Sequence, residues 1–329
     1  MINRRILIFG LIAIIGISII KLGTNLVKDN LSSVDDEIEI VRSDEFDIEV
    51  VEEDGMRKTV FYFKDNKDYL VPVMKKIPWE EGIAKTTLLN MVDSAELRET
   101  LSNTGLSPII PIGTNLNGIS INEDTGLCKV DFSEEIQNIE SNKDEENLIK
   151  GIVYTLTEFP AIKEVQIMVD GKIIPVLKHG FPIDKPLGRE NINLIGNLED
   201  GNSKVVVYYK GDGESNDDYF IPVTIPTLAP VTNVYTALDL LFEGPPSDLG
   251  LKTDMPQGIN FQGVEIKEGT AFIDINFEQG SLLTDNEVLD EMMKNIGLTL
   301  SQFEEIDTVE LLLDGQIINT SIPVFANEY

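Results

Sequence analysis

Apolar and polar positions alternate over Thr59–Phe63 and Tyr69–Met74, and again over Lys204–Tyr209 and Tyr219–Thr224. Both pairs are rich in β-branched and aromatic residues and predict strand hairpins. Pro72 and Pro222 fall inside the second strand of each pair. A missing amide donor there predicts a sheet edge or a bulge. A helical period follows each hairpin, over about Glu80–Val92 and Val231–Phe242. Leu238, Leu241 and Phe242 show the i, i+3, i+4 spacing, and Glu243-Gly-Pro-Pro246 stops the helix. Two further strands come next, Leu116–Ile121 with Leu127–Phe132 and Phe261–Ile266 with Thr270–Ile275. A long helix over Asp144–Glu158, or Asp285–Phe303, then leads to a last strand; Leu148, Ile152, Leu156 and Phe159 line one face of the first.

The closing stretch is nearly the same in both copies. Leu156–Gly171 reads L-T-E-F-P-A-I-K-E-V-Q-I-M-V-D-G, and Leu300–Gly315 reads L-S-Q-F-E-E-I-D-T-V-E-L-L-L-D-G. Asp170-Gly171 and Asp314-Gly315 suit two-residue type I′ turns, with Lys172–Val176 and Gln316–Ile318 as return strands. Other matches keep the same order: Val60–Phe63 with Val205–Tyr208, Tyr69–Val73 with Tyr219–Val223, Pro111–Ile121 with Pro256–Ile266, and Val130–Phe132 with Ile273–Ile275. The chain is a tandem duplication, and each copy is long enough to be a domain. The pattern predicts an α+β fold of two tandem repeats, each a mainly antiparallel sheet with two helices packed on one face. Residues 57–180 and 203–329 are the expected domains. Pro182, Pro186, Gly188, Gly196 and Gly201 mark 181–202 as an irregular linker.

Arg4 and Arg5 precede the uncharged apolar run Ile6–Ile20, which Lys21 closes. This predicts an N-terminal signal anchor within residues 1–27, with the bulk of the chain extracytoplasmic; a cleaved signal peptide is the other reading. Residues 28–56 are dominated by Asp and Glu and read as an acidic linker, with an edge strand near Glu37–Ile40 as the alternative. Acids number 57 against 26 Lys and Arg, for a formal charge of −31. That balance argues against nucleic acid as a partner, because binding there rests on basic residues neutralising phosphates.

The sequence has one Cys and one His. Cys128 lies in an apolar strand and reads as a buried small hydrophobe, while His179 lies in an exit loop. Neither a His/Cys zinc site nor a Ser-His-Asp or Cys-His centre can be assembled from them. Asp131 and Asp274 recur at equivalent places, as do Asp170 and Asp314. They read as turn and strand-end residues ahead of any catalytic or metal pair. Asp212–Asp218 is rich in oxygen ligands but lacks EF-hand spacing and reads as a hairpin tip. Trp79, beside Pro78, is expected to staple a helix entry to the core, with sugar stacking as the sharper alternative. Of the strand aromatics Phe61, Tyr62, Tyr219 and Phe220, alternation puts half in the core.

With these pieces laid out, the repeat resembles the GerM domain, the sporulation and spore germination domain of endospore-forming bacteria. The resemblance rests on Tyr69–Val73 and Tyr219–Val223, on Leu240–Pro245, on the Pro-x-Gly turns at Pro111–Thr114 and Pro256–Gly258, and on the L-T-x-F-P…V-D-G segment. The first copy departs from it at Asp93-Ser94-Ala95, which stands where Glu243-Gly244-Pro245 stands in the second. Many members of that family are lipoproteins, but no cysteine follows the apolar run here, so tethering is assigned to Ile6–Ile20. The resemblance implies a non-enzymatic scaffold outside the cytoplasmic membrane that binds other envelope proteins or its own copies. Ring-building modules of this kind dock a helix of one copy on the sheet of the next. It supplies no catalytic, cofactor or metal-binding residues. Peptidoglycan or another cell-wall glycan is the alternative ligand.

Overall fold

The computed structural model of the chain describes residues 55–79, 82–211, 218–277, 286–321 and 327–328. The expected anchor, nearly all of the acidic linker and the tip 212–217 lie outside them. The first repeat opens with β1 (Met56–Lys64) and β2 (Leu70–Pro78), paired antiparallel. Asp65 shapes their turn by accepting from the Lys67 and Tyr69 amides at 2.9 and 2.8 Å. Helices α1 (Ile83–Leu89) and α2 (Ala95–Leu101) follow. The second of these falls between Val92 and Leu116, where the sequence pattern predicts no element. Ser94, the residue that replaces the Gly-Pro stop, caps α2 by accepting from the Leu97 amide at 3.1 Å.

The hairpin β3 (Leu116–Asn122) and β4 (Leu127–Phe132) comes next, then α3 (Asn142–Leu156) with Ser141 as its cap, and then β5 (Glu164–Val169). The α3 crossover lays β5 parallel to β4. The second repeat retraces this course. Its elements are β6 (Ser203–Gly211), β7 (Tyr219–Thr227), α4 (Val234–Glu243), β8 (Ile259–Lys267), β9 (Thr270–Phe277), α5 (Asn286–Leu300) and β10 (Thr308–Leu313). The return strand β11 (Gln316–Ser321) pairs antiparallel with β10, and β12 (Asn327–Glu328) pairs parallel with Val73 and Met74 of β2.

The fold is α+β and rich in antiparallel pairs, but each repeat divides its strands between two sheets. The long helix lies along the first hairpin. The Tyr62 amide donates to Thr155 Oγ1 of α3 at 3.2 Å, and the Tyr208 amide to Thr299 Oγ1 of α5 at 3.1 Å. Tyr62 lies opposite Pro72, and Tyr208 opposite Pro222. The equivalent residues are therefore Tyr62 and Tyr208, one position from the alignment read off the sequence. Only the second repeat builds the expected return strand. In the first, a single bridge from Val169 to Lys172 forms before Pro175, which has no amide to give.

One continuous hydrophobic cluster runs through both repeats and takes in Ile183 and Ile192 of the connecting segment. Gly151 of α3 lets the core close: a Cβ there would sit 2.2 Å from Ile109 Cδ1 and 3.4 Å from Leu70 Cδ2. Gly151→Ala should destabilise the protein by about 1–3 kcal/mol through overpacking, despite alanine's better helix propensity. Gly118→Ala, at a position with open space around it, should change stability by less than about 0.5 kcal/mol. Urea denaturation midpoints of the two variants check both values.

Candidate interaction sites and the joint between the repeats

The repeated carboxylates are structural. Asp170 and Gly171 have φ of 48° and 73°, and Asp314 and Gly315 have φ of 50° and 77°, as a type I′ turn requires. Asp131 Oδ1 accepts from the Gly171 amide at 2.7 Å, and Asp274 Oδ1 accepts from the Gly315 amide at 3.1 Å. Each Asp on the middle strand thus latches the turn of its neighbour.

Cys128 is fully buried, and burial pushes its thiol up to about 12. The His179 exit loop is held by Glu145, a buried carboxylate that accepts from the His179 and Phe181 amides at 2.8 Å each. The His179 ring reaches the Ile139 carbonyl at 2.9 Å. Trp79 does not staple a buried helix entry. Its residue is 48% exposed, its amide donates to the Gly55 carbonyl at 2.9 Å, and the Arg57 guanidinium lies 5.5 Å from its ring centroid. It sits at the open end of the first hairpin, just beyond Pro78, where less of the core can cover it. Phe61, Tyr62, Tyr219 and Phe220 are all buried, against the half that alternation predicts. Both faces of the hairpins are covered, because the long helices pack over them, Tyr154 of α3 against Tyr62 and Leu298 of α5 with Phe220. In addition, β2 and β7 meet each other.

That meeting is the feature the sequence did not disclose. β7 lies at the edge of its sheet, as expected, and β2 is bordered only by the two-residue β12, yet neither edge is left open. The connecting segment runs along β7: the Thr224 amide donates to the Ile192 carbonyl and the Ile195 amide to the Thr224 carbonyl, at 3.0 Å each. Between those bonds stands Asn193, 4% exposed and at φ 45°. Its Oδ1 accepts from the Leu70 amide at 2.8 Å. Its Nδ2 donates to the carbonyls of Leu70 and Pro222, at 2.8 Å each. One amide side chain therefore joins β2 of the first repeat to β7 of the second. Asparagine suits the place because it tolerates positive φ and carries both a donor and an acceptor.

Arg189 forms the second half of the joint. It pairs with Glu158, donates to the Tyr62 hydroxyl at 3.0 Å and lies over the Tyr154 ring at 4.7 Å. Burial first, and the Glu158 charge next, hold the Tyr62 hydroxyl well above its ordinary pKa. Tyr62 therefore stays protonated and donates to Glu158 at 3.3 Å. The equivalent of Glu158 is Gln302, which turns inward instead. The Val206 amide donates to Gln302 Oε1 at 2.9 Å, and Gln302 Nε2 donates to the Val206 carbonyl at 2.6 Å. A carboxylate cannot return that donation, which frees Glu158 for the linker arginine. Lys67 Nζ and the Tyr69 hydroxyl also reach the Gly250 and Leu249 carbonyls, at 2.6 and 3.3 Å.

These features define a tandem-repeat α+β protein, a duplicated unit whose recurring polar residues hold turns and a joint. The sequence profile of the Germane family, described as sporulation and spore germination, matches residues 59–174 and 206–319, and the chain belongs to that family. It is 28% identical over 268 residues to the spore germination protein GerM of Bacillus subtilis strain 168, an alignment covering 78% of this chain and 71% of that protein. The solved tandem GerMN domains of the sporulation protein GerM from Bacillus subtilis share its fold, with a TM-score of 0.69 at 24% identity. That match covers 83% of this chain and 99% of the solved one. The role of the chain lies in sporulation or germination.

Asn193→Ala removes three buried hydrogen bonds and should cost on the order of 3 kcal/mol, read from the denaturation midpoint. Asn193→Asp should be at least as damaging, because it sets a carboxylate against two carbonyls. Cys128 should react with a thiol reagent only as fast as the protein unfolds, which stopped-flow labelling across a urea series measures.

Proposed function

We propose that this chain is a membrane-anchored, extracytoplasmic scaffold of sporulation or germination that acts by binding proteins and not by catalysis. The joint carries the reading, because it fixes two copies of one unit in a set relation, as a bivalent docking platform needs. The repeated carboxylates are already occupied with turn amides, which leaves the surface to act. Two helices are suited to contact a partner: α1, where Leu89 is exposed, and α4, where Tyr235 is exposed. The outer edges of β3 and β8 are poorer docking strands. Each carries a register irregularity at Gly118 or Gly263, a bulge of the kind that protects sheet edges. The partner would be a second envelope protein or another copy of this chain.

Tethering falls to Ile6–Ile20. Among the described residues no helix is long and apolar enough to cross a membrane. A second reading, binding of peptidoglycan or another wall glycan, is favoured by one observation: the half-exposed Trp79 could offer an indole face to a sugar ring.

Crosslinking with mass spectrometry on membranes of sporulating cells, using the tagged full-length protein, tests the two readings. Crosslinks from α1 or α4 to a second envelope protein or another copy are expected. A bait linked to no protein, but retained by purified wall in a Trp79-dependent way, would overturn the scaffold and establish the glycan reading.

A further inference from the structure

The outer edge of the first hairpin is closed differently in the two repeats. Residues two apart on a strand turn their backbone groups to the same side. On β6 that side is held by the repeat's own residues. Lys210 exchanges backbone bonds with Lys252 at 2.9 and 2.8 Å, and the Tyr208 amide goes to Thr299. Gln302 takes both groups of Val206, and the Lys204 carbonyl accepts from Thr232 Oγ1 at 2.8 Å. On β1 the counterparts are Lys64, Tyr62, Val60 and Lys58. Lys64 exchanges bonds with Ser107 at 3.1 and 2.7 Å, and the Tyr62 amide goes to Thr155. At Val60 the series breaks. Glu158, the counterpart of Gln302, is turned to Arg189 and the Tyr62 hydroxyl, so among the described residues nothing bonds the outward amide and carbonyl of Val60. Val60 is buried, and such groups need a partner.

The chain's own approach to β1 fits this edge. Asp54-Gly55 stands immediately before the strand, the same dipeptide as Asp170-Gly171 and Asp314-Gly315, and Gly55 has φ of 76° against 73° and 77° for Gly171 and Gly315. A two-residue turn there sets Glu53 opposite Met56, Glu52 opposite Arg57, Val51 opposite Lys58 and Glu49 opposite Val60. In that register Val50 shares a face with the buried Thr59, Glu49 and Glu53 flank Lys58, and Glu52 meets Arg57. Lys58 also lies opposite Lys76, with Lys75 beside it, in a chain of formal charge −31. Like charges facing each other across strands are unfavourable, and acids set among them reverse the sign. Thr155 holds the Tyr62 amide, which ends the fit at Glu49.

We propose that residues 49–53 of the acidic segment fold back through Asp54-Gly55 and add to the outer edge of β1 as a short strand. Main chain does here what the Gln302 side chain does in the second repeat. The occupant is the chain's own segment, because a two-residue turn brings it to the edge at a far higher effective concentration than a separate molecule reaches. The added strand closes a stretch of β1 that would otherwise pair with a strand of another molecule. It also reverses the incoming chain, so that residues upstream of 49 leave the domain beside Glu158 and not beyond Trp79.

Hydrogen exchange of the full chain, resolved to single amides, tests this. Pairing on one side protects alternate residues. Glu49, Val51 and Glu53 should therefore exchange at least about tenfold more slowly than Val50, Glu52 and residues 29–44, after correction for intrinsic rates. Gly55→Val, strained at a positive φ, should abolish this protection and leave that of α3 unchanged. Glu52→Cys with Arg57→Cys should oxidise to a disulfide within one chain, because these residues face each other at a non-hydrogen-bonded pair, while Cys128 is buried. Amides 49, 51 and 53 that exchange as freely as 29–44, or protection that survives Gly55→Val, overturn the proposal. Disulfide-linked dimers in place of the intrachain bond also overturn it, and assign the edge to a second copy.

Discussion

A strand edge that carries proline still exposes carbonyls and neighbouring amides, and those groups need partners wherever water is excluded. Pro72 and Pro222 create that situation twice, on two strands that meet each other. The chain meets it with the connecting segment: backbone of Ile192 and Ile195 runs along β7, and Asn193 bridges to β2. Arg189 then adds an ion pair to Glu158 beside Tyr62, while β12 returns from the second repeat to pair with β2. A segment whose composition reads as an irregular connection is the piece that makes two repeats into one body.

Much of the fold is legible from local chemistry. The Asp-Gly turns needed only the φ preferences of two residues, and the duplication disclosed itself through them. The repeated Asp131 and Asp274 each accept from the amide of a tight turn, as an aspartate beside such a turn usually does. What escaped was non-local. Ser94 stands where the second copy stops its helix, so its role as a helix cap went unread, and α2 with it. The burial of all the strand aromatics depends on the helices of each repeat packing over its hairpin, which alternation within one strand cannot express. Trp79 fails as a staple because its environment is set by the end of the hairpin and not by its neighbours in sequence. Asn193 gave no signal at all, since its two partner residues, Leu70 and Pro222, lie far from it in the chain.

The divergence of the copies is concentrated in positions that change who bonds with whom. Glu158 and Gln302 differ by one atom type, yet one recruits the linker arginine and the other closes onto its own strand. Ile109 and Asp254 differ more: the first packs beside Gly151, the second pairs with Lys210. The shared skeleton stays intact because Thr155 and Thr299, Lys64 and Lys210, and the two latched turns keep their roles. The repeats can therefore offer related surfaces without being interchangeable.

The claim that the repeats form one rigid body is tested most directly by a distance between them. Cysteines introduced at the exposed positions Ile173 and Ile317 would carry spin labels, with the buried Cys128 left unlabelled. Pulsed electron–electron resonance on the full chain should give a single narrow distance distribution, which Asn193→Ala broadens. A broad or bimodal distribution in the parent chain would contradict the account and leave two units joined only by a tether.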